Sequence, residues 1–276
     1  MGKIKKTAVA LGGIGLFSAA NVALSMNWLK ISKKNVEIKN LPPHLEGLRI
    51  LHISDIHNNS HKYLSLDIWK KVFKNDFDIA FITGDLTQAY FDHALPLRKG
   101  LCELARRVPV FFVDGNHERF HFKQMKEFLE SCGIIVLDDK KIVLEVDVGN
   151  LEILGTRDYY YQKYNHFKPF MKLMGDEVRC GFRILLSHQP QIIDRLSYFQ
   201  DILVLSGHTH GGQVRLPFLP IAYAPGQGFF PKYSCGLYKE KHNYLHVSPG
   251  IGASRIPIRF FNRPEIAILT LTDGGN

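Results

Sequence analysis

Five short apolar runs in the middle of the chain each end in side chains that can bind metal ions. Runs of this kind, with few polar positions, are typical of strands that are buried on both faces. Functional groups of a parallel sheet gather beyond the carboxyl ends of its strands. We therefore expect one shared site from the groups that follow the runs, which are Asp55-Ile56-His57, Gly84-Asp85, Gly115-Asn116-His117-Glu118, Ser187-His188 and Gly207-His208-Thr209-His210.

Each polar group also has a simpler interpretation when it is taken alone. Asp55 and His57 could cap a turn after a strand, and so could Asp85. The two imidazoles of His208 and His210 are more specific, because they stand at alternate positions among glycines and can converge on neighbouring ions. The occurrence of all five groups in this order favours a metal site over five separate turns.

Helical segments separate several of the apolar runs. Apolar residues recur at spacings of three and four over residues 64–74, 101–107, 122–132 and 190–199. Strands alternating with helices predict an α/β fold with right-handed crossovers and a largely parallel sheet. We assign the remaining strand-like runs to a second sheet packed on the first, namely residues 134–137, 142–146, 151–154, 244–247 and 266–271.

Length and composition predict one main domain with an N-terminal addition. The 276 residues are 45% apolar, which suffices for a single large core. We divide the chain into an anchor or signal segment at 1–29, a linker and edge segment at 30–47, and a catalytic domain at 48–276. The net charge of +9 favours anionic partners. No basic helix with interleaved aromatic residues is evident, so no nucleic-acid partner is expected.

The N-terminus predicts a single-pass helix in the cell membrane. No charged residue lies between Lys6 and Lys30, and a helix of that length rises about 34 Å, against about 30 Å for a hydrocarbon core. Ser18-Ala19-Ala20 also resembles the cleavage site of a secretory signal, and a buried helix is the third alternative. Lysines flank the segment on both sides, so the membrane side of the domain stays open.

The four cysteines do not form a metal or redox motif. They are widely spaced and include no Cys-x-x-Cys pair. We expect free thiols, mostly in the core, at Cys102, Cys132, Cys180 and Cys235.

The five polar groups together resemble the pattern of the calcineurin-like metallophosphoesterases. The stretches 206–213 and 247–260 are similar to a membrane-associated bacterial branch of that family. The branch includes phosphodiesterases and a UDP-2,3-diacylglucosamine pyrophosphatase of lipid A synthesis. The resemblance implies a four-layer α/β/β/α sandwich.

The resemblance also implies two divalent metal ions bridged by Asp85. Their other ligands would be Asp55, His57 and His210 for one ion, and Asn116, His188 and His208 for the second. Carboxylate, amide and imidazole donors suit Mn²⁺, Zn²⁺ or Fe, and the sequence does not choose among them. His117 is not a ligand in this scheme and would protonate the leaving oxygen or stabilise the charge of the transition state.

The expected activity is hydrolysis of a phosphodiester or pyrophosphate. The favoured substrate is a nucleotide-linked lipid such as UDP-2,3-diacylglucosamine. A phosphodiesterase acting outside the cell membrane on cell-wall or small phosphoesters is the alternative, and a non-catalytic metal-binding scaffold is the alternative from another class. The roles of Arg119, Asp158 and the aromatic-rich loop 214–233, which could form a wall for an acyl chain or cover the second sheet, stay open, as does the oligomeric state.

Overall fold

Two six-stranded sheets form the frame of the molecule. The computed structural model describes residues 2–58, 67–146, 149–158, 172, 174–175, 181–216, 218–252 and 258–275. Its strands are β1 (Lys30–Ile38), β2 (Arg49–Ile53), β3 (Ile79–Thr83), β4 (Val110–Val113), β5 (Ile135–Val136), β6 (Lys140–Val146), β7 (Gly149–Gly155), β8 (Arg183–Leu186), β9 (Ile202–Ser206), β10 (Tyr223–Ala224), β11 (Gly228–Phe229), β12 (Gly236–Glu240), β13 (Asn243–Val247) and β14 (Glu265–Asp273).

Each sheet has parallel strands at its centre. The first sheet has the order β1-β14-β2-β3-β4-β5, and β2 to β5 run parallel. The second has the order β12-β13-β9-β8-β7-β6, with β13, β9, β8 and β7 parallel. Antiparallel pairs occur at β14–β2, β12–β13 and β6–β7. The short strands β10 and β11 form a separate hairpin.

Helices cover the outer face of the first sheet. They are α2 (Asp67–Val72), α3 (Arg98–Arg107) and α4 (Phe122–Ser131). Each follows a central strand and turns its apolar side to the sheet, where Trp69, Leu104 and Met125 are buried. The outer face of the second sheet is covered in part by a 3₁₀ helix, Pro190–Arg195, where the periodicity predicts an α-helix. Of the helix predicted over residues 64–74, residues 64–66 lie outside the described residues.

The main core lies between the two sheets. Phe81 and Phe111 of the first sheet face Ile153, Ile184 and Leu203 of the second, and all five side chains are buried. With an apolar core on each outer face as well, the central strands have no solvent-facing side. This explains why their sequences are continuously apolar instead of alternating.

The distribution of strands between the sheets differs from our expectation. Residues 184–186 and 202–205, expected in the first sheet, form β8 and β9 at the centre of the second. Residues 134–137 and 266–271, expected in the second sheet, contain β5 and most of β14 and belong to the first. A buried apolar run satisfies either sheet equally well, so its composition does not identify its neighbours.

The N-terminal helix α1 spans Gly2–Asn27, over the length that the sequence predicts. Within the described part of the chain, however, no helix combines the length and apolar character needed to cross a membrane. The predicted single-pass anchor is therefore not supported, since Gly12, Gly13 and Asn21 dilute the apolar residues of α1. Asn21 instead accepts a hydrogen bond of 2.8 Å from the backbone N–H of Phe261.

Two cysteines are joined, contrary to our expectation of free thiols. Cys102 lies in α3 and Cys132 directly follows α4, and the packing of these helices on one sheet brings the pair into a disulfide. Their sequence separation of 30 residues carries no sign of this proximity. Cys235 is a free thiol, and Cys180 lies outside the described residues.

The edge segment expected at residues 30–47 contains the long strand β1, which pairs with β14 in parallel along its whole length. Glu265 at the start of β14 holds the two strands together through its carboxylate. It accepts hydrogen bonds from Ser32 Oγ at 2.7 Å and Lys34 Nζ at 2.9 Å, and Lys30 Nζ lies 3.3 Å away.

Candidate metal centre

The carboxyl ends of the central strands of both sheets bring the predicted ligands to one rim. The first sheet contributes Asp55 and His57 after β2, Asp85 after β3 and Asn116 after β4, and the second contributes His188 after β8 and His208 and His210 after β9. The structure brings all of these side chains except Asn116 into two adjoining groups.

Five of the seven predicted ligands have left-handed backbone conformations. Their φ angles are 49° at Asp55, 47° at His57, 55° at Asp85, 69° at His208 and 50° at His210. Such conformations are uncommon for residues other than glycine and cluster at functional sites, where the surrounding structure holds them. The chain here turns sharply at the end of each strand, which aims successive side chains at the same point.

The first group consists of Asp55, His57 and His210. The Nε2 atoms of the two imidazoles lie 3.1 Å apart. Asp55 Oδ1 is 3.5 Å from His210 Nε2 and 3.7 Å from His57 Nε2. All three side chains are buried.

The second group consists of Asp85, His188 and His208. His188 Nε2 lies 3.3 Å from Asp85 Oδ2 and 3.1 Å from His208 Nδ1. Asp85 Oδ2 is also 3.4 Å from His57 Nε2 in the first group. Asp85 is thus the residue at which the two groups meet.

These separations fit metal coordination. Two donors about 2.0–2.1 Å from one ion at a tetrahedral angle lie about 3.3 Å from each other. The amide oxygen of Asn116 supports the same interpretation, because it is buried without a hydrogen-bond partner in the described structure. An unpaired buried oxygen is costly, and a bound cation would satisfy it.

The protonation of two of the predicted imidazole ligands also suits metal binding. Burial lowers the pKa of His208 to about 4 and that of His210 to about 3, so both rings are neutral at pH 7 and offer a lone pair. Burial alone would raise the pKa of Asp85, but His188 outweighs it and holds that carboxyl well below its ordinary pKa. His188 donates from Nδ1 to the Thr83 carbonyl at 2.7 Å, which turns its Nε2 toward Asp85.

His117 stands at the mouth of the site with 21% of its side chain exposed. Its Nδ1 donates to the carbonyl of Gln88, and its backbone N–H donates to Asp85 Oδ1 at 3.0 Å. The free Nε2 lies 3.9 Å from Asp85 Oδ2. By distance alone, His117 could also join His57 and Asp85 around an ion.

A family model decides which class of protein carries this arrangement. The model for calcineurin-like phosphoesterases matches residues 48–212, a range that contains both groups of ligands. The chain belongs to that family. This membership agrees with the resemblance of its motifs.

Similar proteins carry the same description. A Helicobacter pylori protein, described as an uncharacterized metallophosphoesterase, is 32% identical over 246 residues, which are 85% of this chain and 64% of that protein. The uncharacterized metallophosphoesterase YkuE of Bacillus subtilis is 25% identical over 90% of this chain and 87% of its own length. A zebrafish (Danio rerio) transmembrane protein with a metallophosphoesterase domain is 28% identical over 98% of this chain and 63% of its own length. The chain thus spans less than two thirds of the length of the Helicobacter pylori and zebrafish relatives.

Two glycines allow the turns that carry the predicted metal ligands to approach each other. A Cβ atom at Gly115 would lie 2.2 Å from Asp85 Oδ1, and one at Gly207 would lie 2.1 Å from Asp55 Oδ2. Both distances are far below van der Waals contact. Any larger residue at either position would displace a predicted ligand.

Glu118 connects two ligand turns and has no ligand role of its own. Its buried carboxylate accepts hydrogen bonds of 2.8 Å from the backbone N–H groups of Asp85 and Gly115, and one of 3.3 Å from Thr87. The sequence alone gives Glu118 no separate role, although it belongs to the Gly115-Asn116-His117-Glu118 group. The signal was its position, since an acid after a tight turn can accept from backbone N–H groups.

Arg259 supports Asp55 from the opposite side and was missed in the sequence. Its buried guanidinium donates to the carbonyls of Pro249 at 2.8 Å and Gly252 at 3.1 Å. The segment between them packs on Asp55, whose carbonyl accepts from Gly252 N at 2.7 Å and Ile251 N at 3.1 Å. This gives the described part of the motif at 247–260 a structural role, namely to fix the turn that carries Asp55.

A cavity of about 680 Å³ opens directly over the ligands. Asp85, Asn116 and His117 form part of its wall, and Gln88 and Gln213 add polar groups. Two exposed aromatic residues complete the mouth, Phe120 and Tyr223. The site is therefore reachable by a ligand much larger than a phosphate ion.

The loop that follows His210 keeps most of its apolar side chains in solvent. Phe229 and Phe230 are 76% and 73% exposed, and Phe218 is fully exposed. The interpretation that this loop covers the second sheet applies to Tyr233, which is buried in the outer core of that sheet, but not to these phenylalanines. Tyr223 at the cavity contacts Phe229 with ring centroids 5.6 Å apart.

Arg119 and Asp158 have different surroundings. Arg119 is exposed. Asp158 is buried, which raises its pKa, and it accepts a hydrogen bond of 2.8 Å from Gln189 Nε2. Its backbone N–H donates to Asp114 Oδ1 at 3.2 Å. Asp158 thus belongs to a polar network beside His188 and not to either ligand group.

Proposed function

We propose that the chain hydrolyses phosphodiester or pyrophosphate bonds at a dinuclear metal centre. One ion would be held by Asp55, His57, Asp85 and His210, and the second by Asp85, Asn116, His188 and His208. The observation that carries this proposal is the junction of the two groups at Asp85 Oδ2, which lies 3.3 Å from His188 Nε2 and 3.4 Å from His57 Nε2. We also keep residues 48–276 as the catalytic domain.

The protein's own groups define how a substrate would react. Bound divalent ions would supply an activated water and balance the negative charge of the phosphoryl group. His117 directs Nε2 toward the cavity because its Nδ1 is engaged by the Gln88 carbonyl. A protonated Nε2 there can donate its proton to the leaving oxygen.

The favoured substrate class is a nucleotide-linked lipid such as UDP-2,3-diacylglucosamine. The size of the cavity and the exposed aromatic residues at its edge support this choice, because acyl chains gain from contact with apolar surface. The nucleotide diphosphate would supply the negative charge that two divalent ions require. A small soluble phosphodiester is the competing substrate class.

Parallel assays distinguish the two substrate classes. Release of UMP from UDP-2,3-diacylglucosamine with Mn²⁺ is compared with hydrolysis of a chromogenic phosphodiester. We expect the double variant Phe229→Ser with Phe230→Ser to lower kcat/KM about tenfold on the lipid and to spare the chromogenic substrate. Tyr198→Ser is the control, because Tyr198 is 92% exposed and precedes the amino end of β9, away from the ligand rim.

Each outcome of the assays has a defined meaning. Equal losses on both substrates would contradict a role of Phe229 and Phe230 in lipid binding. Turnover of the chromogenic diester alone would retain the metal chemistry and replace the lipid by a small phosphoester. Absence of turnover on both substrates, with metal bound, would favour a metal-binding scaffold.

A further inference from the structure

A second cavity, of about 410 Å³, lies behind the ligand turn at His210. Its walls come from the last turns of α1, from the segment around Arg215 and from residues 261–265. Asn262 connects it to the metal centre by donating from Nδ2 to the His210 carbonyl at 2.7 Å. Arg215 donates from Nε to the carbonyl of the next residue, Gly211, at 2.9 Å.

The charge of this cavity is unbalanced. Lys30, Arg215 and Arg263 line it together with one acid, Glu265. That carboxylate is already paired with Lys30 and with Lys34, which lies 2.9 Å away. In the described structure, no carboxylate forms an ion pair with either arginine. The cavity therefore has an excess of positive charge.

The two arginines are held in place but keep donors to spare. Arg215 Nη2 is buried without a hydrogen-bond partner among the described residues. Arg263 donates from Nε to the Trp28 carbonyl at 3.0 Å and stacks over the Trp28 ring at 4.5 Å. A guanidinium has five N–H donors and binds phosphate oxygens in a fork. An anion in the cavity would pair with the two guanidinium groups that line it.

The edge of the cavity is apolar and exposed. Leu24 of α1 and Trp28, just after it, are 51% and 55% exposed. Val214 and Leu216, on either side of Arg215, are 48% and 49% exposed. Exposed apolar residues around a basic site are typical of surfaces that contact lipid, where cationic groups meet phosphates and apolar groups enter the acyl region. A free phosphate ion would make no use of them.

We propose that this cavity binds the headgroup phosphate of an anionic phospholipid, through Arg215 and Arg263. The apolar edge contacts the acyl chains and places the protein on the surface of a bilayer without crossing it. This binding does not depend on the reaction proposed above. The phosphate also steadies the turn of His210 through the Arg215 and Asn262 contacts.

Vesicle binding tests the proposal directly. The full chain is sedimented with vesicles of phosphatidylcholine containing phosphatidylglycerol, and with vesicles of phosphatidylcholine alone. We expect binding to the anionic vesicles only, and about 30-fold weaker binding for the double variant Arg215→Gln with Arg263→Gln. The single variant Arg263→Gln, whose side chain is partly exposed, gives a second measurement if the double variant does not fold.

A matched control removes the same charge elsewhere. Lys239 and Lys241 lie at the turn between β12 and β13, and β13 runs parallel to β9, so this turn is at the rim opposite the ligands. The variant Lys239→Gln with Lys241→Gln should change binding less than about threefold, since charges beyond a Debye length are screened.

Three results would overturn the proposal. Equal weakening in both double variants would show that binding follows net charge and not the cavity. Unchanged vesicle binding in the arginine variants would exclude the cavity as the lipid site. Binding of soluble sn-glycerol 3-phosphate through Arg215, without vesicle binding, would assign the cavity to a soluble phosphate.

Discussion

His117 differs from the neighbouring ligands in its exposure and in its hydrogen bonds. It lines the cavity, and its Nδ1 is engaged by Gln88, so Nε2 alone faces a substrate. We predict that His117→Ala keeps the bound metal and lowers kcat by about 10²–10⁴-fold, the usual loss when a general acid is removed. Metal content by mass spectrometry and turnover of a chromogenic phosphodiester check this.

A neighbouring imidazole provides the control for that variant. His121 contacts Thr87 Oγ1 at 3.2 Å and does not line the cavity. His121→Ala should therefore keep most of the activity. If His117→Ala were folded but lost metal, His117 would be a ligand, as its distance to His57 and Asp85 allows.

At the scale of single residues, the sequence predicts the metal-binding side chains of the site better than the residues that hold those side chains in position. Asp55, Asp85 and His210 are conspicuous because each follows an apolar run. Arg259 is not, because the carbonyls that it holds are 7 and 10 residues away and the turn that it supports is some 200 residues earlier. Contacts of this kind depend on which segments the fold brings together.

The pairing of β1 with β14 depends on the carboxylate of Glu265. Burial alone would raise the pKa of Glu265, but hydrogen bonds from Lys34 and Ser32 outweigh it and leave the pKa below the ordinary value of 4.5. A group whose pKa is lowered by folding binds fewer protons in the folded state. It therefore stabilises the fold above about pH 4.5, and this contribution is lost as the pH falls through the folded-state pKa.

We predict that Glu265→Gln lowers the free energy of unfolding at neutral pH and weakens its decline in acid. Urea unfolding at neutral pH and at about pH 3 measures both effects. Glu37→Gln, an exposed substitution on the partner strand β1, should leave the pH dependence unchanged. An identical acid decline in Glu265→Gln and the unsubstituted protein would contradict this role.

Secondary structure was predictable for the central elements because burial imposes a simple pattern on them. The apolar runs of β3 and β4 and the periodicity of α3 and α4 lie where the sequence places them. The distribution of strands between the two sheets was not predictable, because β8 and β9 are as apolar as β3 and β4. The α-helix expected from residue 190 is a short 3₁₀ helix.

A buried ion pair between the neighbouring strands β7 and β8 of the second sheet contributes to the stability of the whole molecule. Arg183 Nε donates to Glu152 Oε2 at 2.8 Å, and the two residues are 1% and 0% exposed. Removal of one partner of a buried ion pair is strongly destabilising. We predict that Glu152→Gln lowers the free energy of unfolding by about 3–5 kcal/mol.

Urea unfolding measures this loss, with Glu145→Gln as control because Glu145 is exposed on the neighbouring strand β6. The control should change stability by less than about 0.5 kcal/mol. A loss below about 1 kcal/mol in Glu152→Gln would show that hydrogen bonds to the neutral amide replace the ion pair.

On the scale of the whole molecule, the uncharged N-terminal stretch was weak evidence for a membrane-spanning helix. The N-terminal residues form a helix of the expected length, yet no helix in the described ranges is apolar enough to cross a bilayer. Length and the absence of charge are readable from the sequence. The hydrogen bond from Phe261 to Asn21, which joins α1 to the domain, is not.

Metal analysis of Asp85→Asn tests the central claim most directly, because Asp85 joins the two groups of ligands. The protein and the variant are loaded with Mn²⁺, freed of excess ion and assayed for bound metal and phosphodiester turnover, with the exposed Asp92→Asn as control. We predict about two ions per chain in the unsubstituted protein and the control, and loss of both metal and turnover in Asp85→Asn. Full metal content with full turnover in Asp85→Asn would contradict a centre bridged by this carboxylate.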